Sequence, residues 1–261
     1  MRLYVTLEVG RETSLPVNYQ HLLTAVVYDL LGSADAEYAR FLHDSGYGGE
    51  GGRRFKLFTF SWLRGRGRVL GPTIVYAQGQ LTWFLSSPVD EFVQHLATGL
   101  LTAGVLRVGS ASLPIQSVGT LPSHPETKED QEPSRFTCLS PLVASVPRHE
   151  GHALYLKPSD GPEFSEAIRR NLIQKYRLLH GSDPENTTFE MLFDQAYLAR
   201  SGGGTKLITY KEIQIRAAFA PFTVTGSPAL ISLGYEAGFG EKNAGGFGMV
   251  EKFSSRVGIE T

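Results

Sequence analysis

Residues 233–250 read Leu233-Gly234-Tyr235-Glu236-Ala237-Gly238-Phe239-Gly240-Glu241-Lys242-Asn243-Ala244-Gly245-Gly246-Phe247-Gly248-Met249-Val250. Six of these eighteen residues are glycine, and apolar residues flank them on both sides. Glycine loses more conformational freedom on folding than any other residue and has no side chain to pack. A non-repetitive stretch so rich in it implies a turn with unusual dihedrals or a backbone that something approaches closely. Successive backbone N–H groups in such a turn form an anion nest, which makes phosphate one candidate ligand. The dinucleotide fingerprint G-x-G-x-x-G fits only at Gly238 and Gly240, because Asn243 occupies its third position. The phosphate loop G-x-x-x-x-G-K-[ST] is absent from this stretch. Two readings remain from spacing alone: a glycine-rich hairpin loop, or a loop that touches a ligand.

The rest of the chain narrows the choice. At 261 residues, with 41% hydrophobic residues, it can form a packed core as one large or two small domains. Its 25 basic and 26 acidic side chains give a net charge of −1, which argues against a protein that coats nucleic acid non-specifically. A local basic surface is still present. Arg53, Arg54, Lys56, Arg64, Arg66 and Arg68 fall in one stretch without an acidic residue, interleaved with Phe55, Phe58, Phe60 and Trp62. Basic side chains track a phosphate backbone and exposed rings stack on bases, whereas buried rings would simply belong to a core strand. The one cysteine, Cys138, cannot close an internal disulfide and reads as a small core residue. No apolar signal core follows the first strand and no segment has the length of a membrane span, so a cytoplasmic protein is expected.

Taken in order, alternation predicts a strand over 2–9, and apolar periodicity predicts helices near 19–31 and 35–44. A glycine-rich loop follows, Gly46 to Gly52. Strands are expected over 55–62, 69–77 and 80–86, a helix over 89–103, and strand material between 105 and 119. This is the ferredoxin-like βαββαβ order. The polar, proline-bearing run 122–134 reads as a linker or surface loop. Beyond it come a strand near 135–146, a hairpin into 152–157, a helix over 162–180 and a helical segment within 188–199. Strands follow at 205–209 and 211–224, and 228–233 is undecided between helix and strand. A last strand spans 246–253. The element order repeats that of the first half, which predicts an α+β chain of two domains, 1–121 and 135–261.

The glycine stretch, with Gly238-Phe239-Gly240 followed after five residues by Gly246-Phe247-Gly248, resembles the C-terminal signature of the CRISPR-associated endoribonucleases that process repeat RNA. The Gly234-Tyr235-Glu236 and Met249-Val250 flanks match too, as do Lys56 through Ser61 and Phe136 through Pro141. The resemblance covers the chain from end to end. It implies tandem ferredoxin-like (RRM-like) domains facing each other across a cleft. It also implies metal-independent cleavage within the repeats of a long precursor RNA, leaving 5′-hydroxyl and 2′,3′-cyclic phosphate ends, with no cofactor. The implied partners are CRISPR repeat RNA and precursor crRNA, not a membrane. An RNA-guided effector complex and a homodimer stay open as further assemblies.

Such chemistry needs a proton taken from the ribose 2′-oxygen, a proton given to the departing 5′-oxygen, and fixed positive groups for the phosphorane. His43 sits near a predicted helix C-terminus, which favours an imidazolium. Spacing alone does not separate it from an ordinary surface histidine. The resemblance makes His43 the proton-transfer group, Tyr28 its partner on the first helix, and Lys56 the cation facing the phosphorane. The stretch from His43 to Lys56 is longer than the family pattern, so Arg53 or Arg54 could take the lysine's place. The resemblance further makes Gly238, Gly240, Gly246 and Gly248 close-approach positions for RNA, with Lys242 and Asn243 as added contacts. Arg64, Arg66 and Arg68 are candidate contacts to an RNA stem or leader. His21 is the runner-up histidine. His149-Glu150-Gly151-His152 lacks the H-E-x-x-H spacing of a helical metal site, so no metal is expected there. The alternatives are a repeat-RNA-binding protein that cuts weakly, or a structural subunit of an RNA-guided complex.

Overall fold

A computed structural model describes residues 1–48, 52, 54–121, 133–147 and 153–253. In the N-terminal half, β1 (Arg2–Val9) buries Leu3, Val5, Leu7 and Val9 on one face, as its alternation requires. After a short β2 (Thr13–Pro16) comes helix α1 (Gln20–Ala34), whose Leu23, Val26, Val27, Leu30 and Leu31 face the core. Asp35 ends α1 and caps α2 (Ala36–Asp44), its carboxylate accepting from the Tyr38 N–H at 2.8 Å. The next strands are β3 (Tyr47–Gly48), β4 (Arg54–Phe55), β5 (Thr59–Phe60), β6 (Gly67–Leu70), β7 (Thr73–Tyr76) and β8 (Gly79–Ser86). Helix α3 (Asp90–Ala103) and strands β9 (Val105–Val108) and β10 (Ala111–Leu121) complete this half.

The main sheet runs β5-β8-β1-β10-β9, antiparallel at each pairing. Taking β1, β5, β8 and β10 as strands one to four, the order is 2-3-1-4, the ferredoxin-like arrangement, with β9 folded onto its edge. Phe58, Phe60 and Trp83 are fully buried in one core with Phe92 of α3, and truncating one such ring costs ~3–5 kcal/mol.

The C-terminal half repeats the plan. It comprises β11 (Ser134–Cys138), the hairpin β12 (Ser145–Pro147) and β13 (Ala153–Tyr155), and α4 (Gly161–His180). There follow β14 (Phe189–Phe193), α5 (Gln195–Arg200), β15 (Thr205–Tyr210), β16 (Ile213–Ala218), β17 (Phe222–Gly226), α6 (Pro228–Ala237) and β18 (Val250–Lys252). Its sheet runs β14-β17-β11-β18, again 2-3-1-4. The expected tandem ferredoxin-like α+β fold is therefore present.

Several expected elements differ in detail. The strand expected over 55–62 is only Thr59–Phe60 in the main sheet, because the chain turns at Leu57, a non-glycine residue at φ 54°. The stretch 69–77 is a hairpin rather than one strand, reversing at Gly71-Pro72 between Leu70 and Thr73. The strand near 135–146 stops at Cys138, and residues from Ser145 join a separate hairpin. The helical segment expected within 188–199 is α5, which begins after the Asp194 cap, while the first part of that stretch is strand β14, with Met191 and Phe193 pointing inward. Residues 228–237 are helix, with Ser227 capping and Pro228 in the first turn. The last strand is confined to 250–252, since Gly246 and Gly248 hold positive φ.

The two halves are joined by a third, smaller core of Val143, Ile208, Ile215, Ala217 and Phe247, against which Trp62 packs. Trp62 also stacks on Phe219 at 5.2 Å, and its backbone N–H donates to Leu139 O at 3.0 Å. Arg2, buried in β1, donates to the carbonyls of Val250 and Tyr235 at 2.8 Å each and lies over the Tyr235 ring. These ties fix the glycine-rich stretch between the two sheets.

Candidate active site and interdomain cleft

His43 lies in the last turn of α2 with its side chain 68% exposed. Its Nδ1 is 2.8 Å from Asp44 Oδ1. A carboxylate accepts only, so Nδ1 carries the hydrogen in this pair and Nε2 is left to exchange protons. The bond to His43 holds the Asp44 carboxyl below its usual range. The Tyr28 ring, reaching from α1, meets the imidazole edge-on at 5.1 Å. Burial, and then Tyr210, push the Tyr28 phenol up to about 12, so at neutral pH it is a hydrogen-bond donor and not a base.

Lys56 holds the backbone beneath the histidine. Its Nζ donates to the carbonyls of Leu42 and, at 2.6 Å, of His43. These are terminal carbonyls of α2, the end of a helix that favours a cation. Two of the three ammonium hydrogens are thereby used and one remains. Burial, then Arg54, lower the Lys56 pKa while Asp44 opposes them. Arg54 is exposed and donates weakly to Ser45 O at 3.3 Å.

Beyond Lys56 the two halves enclose a cleft of ≈ 340 Å³. Arg54, Lys56 and Leu57 line one wall, and Asn171, Lys175, Gly240, Glu241, Lys242 and Asn243 line the other. Leu57 and Lys242, on opposite walls, are two of the non-glycine residues at positive φ (54° and 58°). Such backbone costs of order 1–3 kcal/mol and concentrates at functional sites.

The glycine-rich stretch forms a turn whose four signature glycines are buried. At Gly240, φ 78°, an added Cβ would overlap the Val143 carbonyl; at Gly248, φ 82°, it would overlap the Phe239 carbonyl. Gly238 faces Thr59 and Asn243, and Gly246 faces the Phe60 ring. Within the protein, these glycines make their close approaches to backbone and side chains of both halves. The Asn243 side chain is also committed internally, donating to Phe247 O at 3.0 Å and accepting from Lys175 Nζ at 2.7 Å. Lys242 alone of this group is exposed. Thr24 of α1 donates to Ala244 O at 3.2 Å, bringing the turn against the helix that carries Tyr28.

The structure does not bring the other basic candidates into this cleft. Arg64 pairs with Glu251 at 2.9 Å, and Arg66 and Arg68 lie about the β6–β7 hairpin, Arg68 being 3.6 Å from Glu12. Arg53, His149 and His152 lie outside the described residues. His21 is partly buried near Tyr210, with its Nδ1 unpartnered among the described residues. Phe58 and Phe60 are core residues rather than exposed stacking platforms, and Cys138 lies half-buried in β11. No cluster of three or more metal-ligating side chains occurs among the described residues, and no helix among them is long and apolar enough to cross a membrane.

Two residues escaped the sequence reading. Asp44 was visible only as the neighbour of His43, and nothing in the sequence says that it turns toward the ring. Lys175 sits in the apolar stripe of α4 beside Leu172 and Ile168, and a charge at such a position is the signal that could have found it.

Residues 14–119 match the N-terminal model, and 124–252 the C-terminal model, of CRISPR-associated protein Cas6. The "CRISPR-associated endoribonuclease Cas6 1" of Methanocaldococcus jannaschii is 32% identical over 96% of this chain and 92% of its own length. The "CRISPR-associated endoribonuclease Cas6" of Pyrococcus furiosus is 29% identical over 92% of this chain and 84% of its own. A solved "CRISPR associated protein Cas6" superposes with a TM-score of 0.77 at 30% identity, over 97% of this chain and 99% of that one. The chain belongs to the Cas6 family.

Proposed function

We infer that this protein is an endoribonuclease that cleaves CRISPR precursor RNA within its repeats; relatives named CRISPR-associated endoribonuclease support the class of activity. The observation that carries the reading is the exposed His43 ring, with Nδ1 held by Asp44, Tyr28 at its edge and Lys56 bound to the carbonyl of His43 itself. Nε2 is the atom through which the proton moves. In the reaction the ribose 2′-oxygen gives up its proton and forms a bond to the adjacent phosphorus while the bond to the 5′-oxygen breaks and that oxygen takes up a proton, Nε2 serving one of these two transfers. The products are a 2′,3′-cyclic phosphate and a 5′-hydroxyl, and no oxidant, water or metal enters the balance. The remaining Lys56 hydrogen and the free edge of the Arg54 guanidinium meet the charge that builds on the phosphorane. Tyr28 orients a ribose or phosphate oxygen by donating to it.

Lys242 extends this cationic wall across the cleft, and Arg64, Arg66 and Arg68 lie apart from it as contacts for a more distant part of the RNA. Residues 1–121 and 135–261 act as the two domains that grip the strand.

The test is cleavage of the repeat transcript from the same genome, in EDTA, with and without a 2′-deoxy substitution at the cut. Cutting of the ribose form alone, with a cyclic phosphate end, supports the reading. Cutting of the deoxy form, or loss of cutting in EDTA, contradicts it.

A further inference from the structure

Lys175 is 1% exposed, in the middle of α4. Its Nζ donates to Gly238 O at 2.7 Å, Gly240 O at 2.9 Å and Asn243 Oδ1 at 2.7 Å. All three acceptors belong to the glycine-rich turn. An ammonium has three hydrogens and no lone pair, whereas a neutral amine has two hydrogens and one lone pair. The cage of three acceptors therefore fits the charged form and leaves one acceptor unmatched when the proton is lost. No carboxylate pairs with this cation among the described residues. Glu241 attracts it from a distance, with its own carboxylate accepting from Ser145 Oγ at 2.9 Å. The other charges about the cleft are Lys242 on the turn, and Arg54 and Lys56 on the facing wall, all positive. Between the caged Gly240 carbonyl and the caged Asn243 side chain the chain passes through Lys242 at positive φ and presents that side chain to solvent.

We propose that Lys175 is a positioning residue: its ammonium cages the glycine-rich turn in the shape that presents Lys242 to the interdomain cleft, and the turn loosens when that nitrogen loses its proton. Burial lowers the Lys175 pKa to about 7, which puts the change within reach of ordinary conditions. The consequence for RNA rests on the repeat-processing reading; the consequence for the turn does not.

The experiment uses the full chain and two readouts between pH 6 and 9. One is the amide resonances of Gly238, Gly240, Gly246 and Gly248 alongside the Lys175 side-chain resonance. The other is affinity for the genome's repeat RNA, blocked by a 2′-deoxy residue at the cut, in wild type and Lys175→Met. The glycine amides are expected to shift with the same midpoint as Lys175, and wild-type affinity to fall several-fold as pH rises through it. Lys175→Met is expected to bind weakly and without that pH dependence. Glycine amides that ignore the Lys175 titration, or a Lys175→Met protein with the wild-type affinity profile, would overturn the proposal. Should Lys175→Met not fold, the wild-type titration decides alone. Glycine amides that follow Lys175 in a protein without repeat affinity would support the cage and count against the RNA reading.

Discussion

His43 and Lys175 are both ionisable groups held by the chain near one cleft, and their surroundings are opposite. His43 is mostly exposed, has Asp44 as its one side-chain hydrogen-bond partner among the described residues, and keeps Nε2 unengaged by them. Lys175 is sealed, and every hydrogen of its ammonium is given to the glycine-rich turn. A group that must exchange a proton with substrate needs a free atom at the surface. A group that fixes a loop needs the reverse, full satisfaction away from water. On the proposed reading the cleft divides its labour, with chemistry on the helix end at α2 and shape on the buried lysine and glycines.

That division can be broken at several places, beginning with the turn. Gly240→Val puts a branched side chain at φ 78° against the Val143 carbonyl, and a loss of ~4 kcal/mol or more, or failure to fold, is expected in urea unfolding. A stable Gly240→Val protein would show that the turn has more room than its contacts indicate.

Lys175 gives a sign to check. Its folded pKa, about 7, is below that of the unfolded chain, so between about pH 7 and 10 the unfolded state holds the proton more often. Stability from this group therefore rises with pH in that window, by at most ~1.4 kcal/mol per pH unit, even as the turn loses a hydrogen bond. Wild-type stability measured against Lys175→Met over this range is expected to climb. A flat difference would mean that the ammonium is not penalised by its burial.

Asp44→Asn should slow cleavage about tenfold, or ~1.4 kcal/mol, by weakening the hold on the His43 tautomer while leaving RNA affinity in place. The effect is kept small by the exposure of the pair. Single-turnover rates that do not change would assign Asp44 to the surface only.

The smallest effect belongs to Arg64→Ala. Its exposed pair with Glu251 contributes under ~1 kcal/mol to folding. If Arg64 touches a phosphate, the dependence of repeat affinity on salt should weaken by about one ion. An unchanged slope would remove it from the RNA path.

The sequence made most of the fold legible because apolar periodicity survives wherever an element spans a sheet or core face. The alternation in 2–9 and the stripes of α1, α3 and α4 are of this kind. It failed where tertiary contacts set the backbone. Leu57 at positive φ cuts a strand short for reasons found in no propensity, and the short apolar alternation of β14, directly before the α5 helix, is not picked out as a strand. The glycine stretch reads as a place of close approach, and within the protein the groups that approach it are Val143, Phe60 and Phe239. His43, Tyr28 and Lys56 came from resemblance to a family rather than from spacing. Asp44 and Lys175 depend on side-chain direction, which one-dimensional spacing does not carry.

The most direct test of the central claim is to measure single-turnover cleavage and repeat affinity together in His43→Ala. Loss of the exposed imidazole is expected to lower the rate ~10²–10⁴-fold while the dissociation constant stays within about threefold of wild type. Cleavage at the wild-type rate would show that the proton passes elsewhere and would contradict the account.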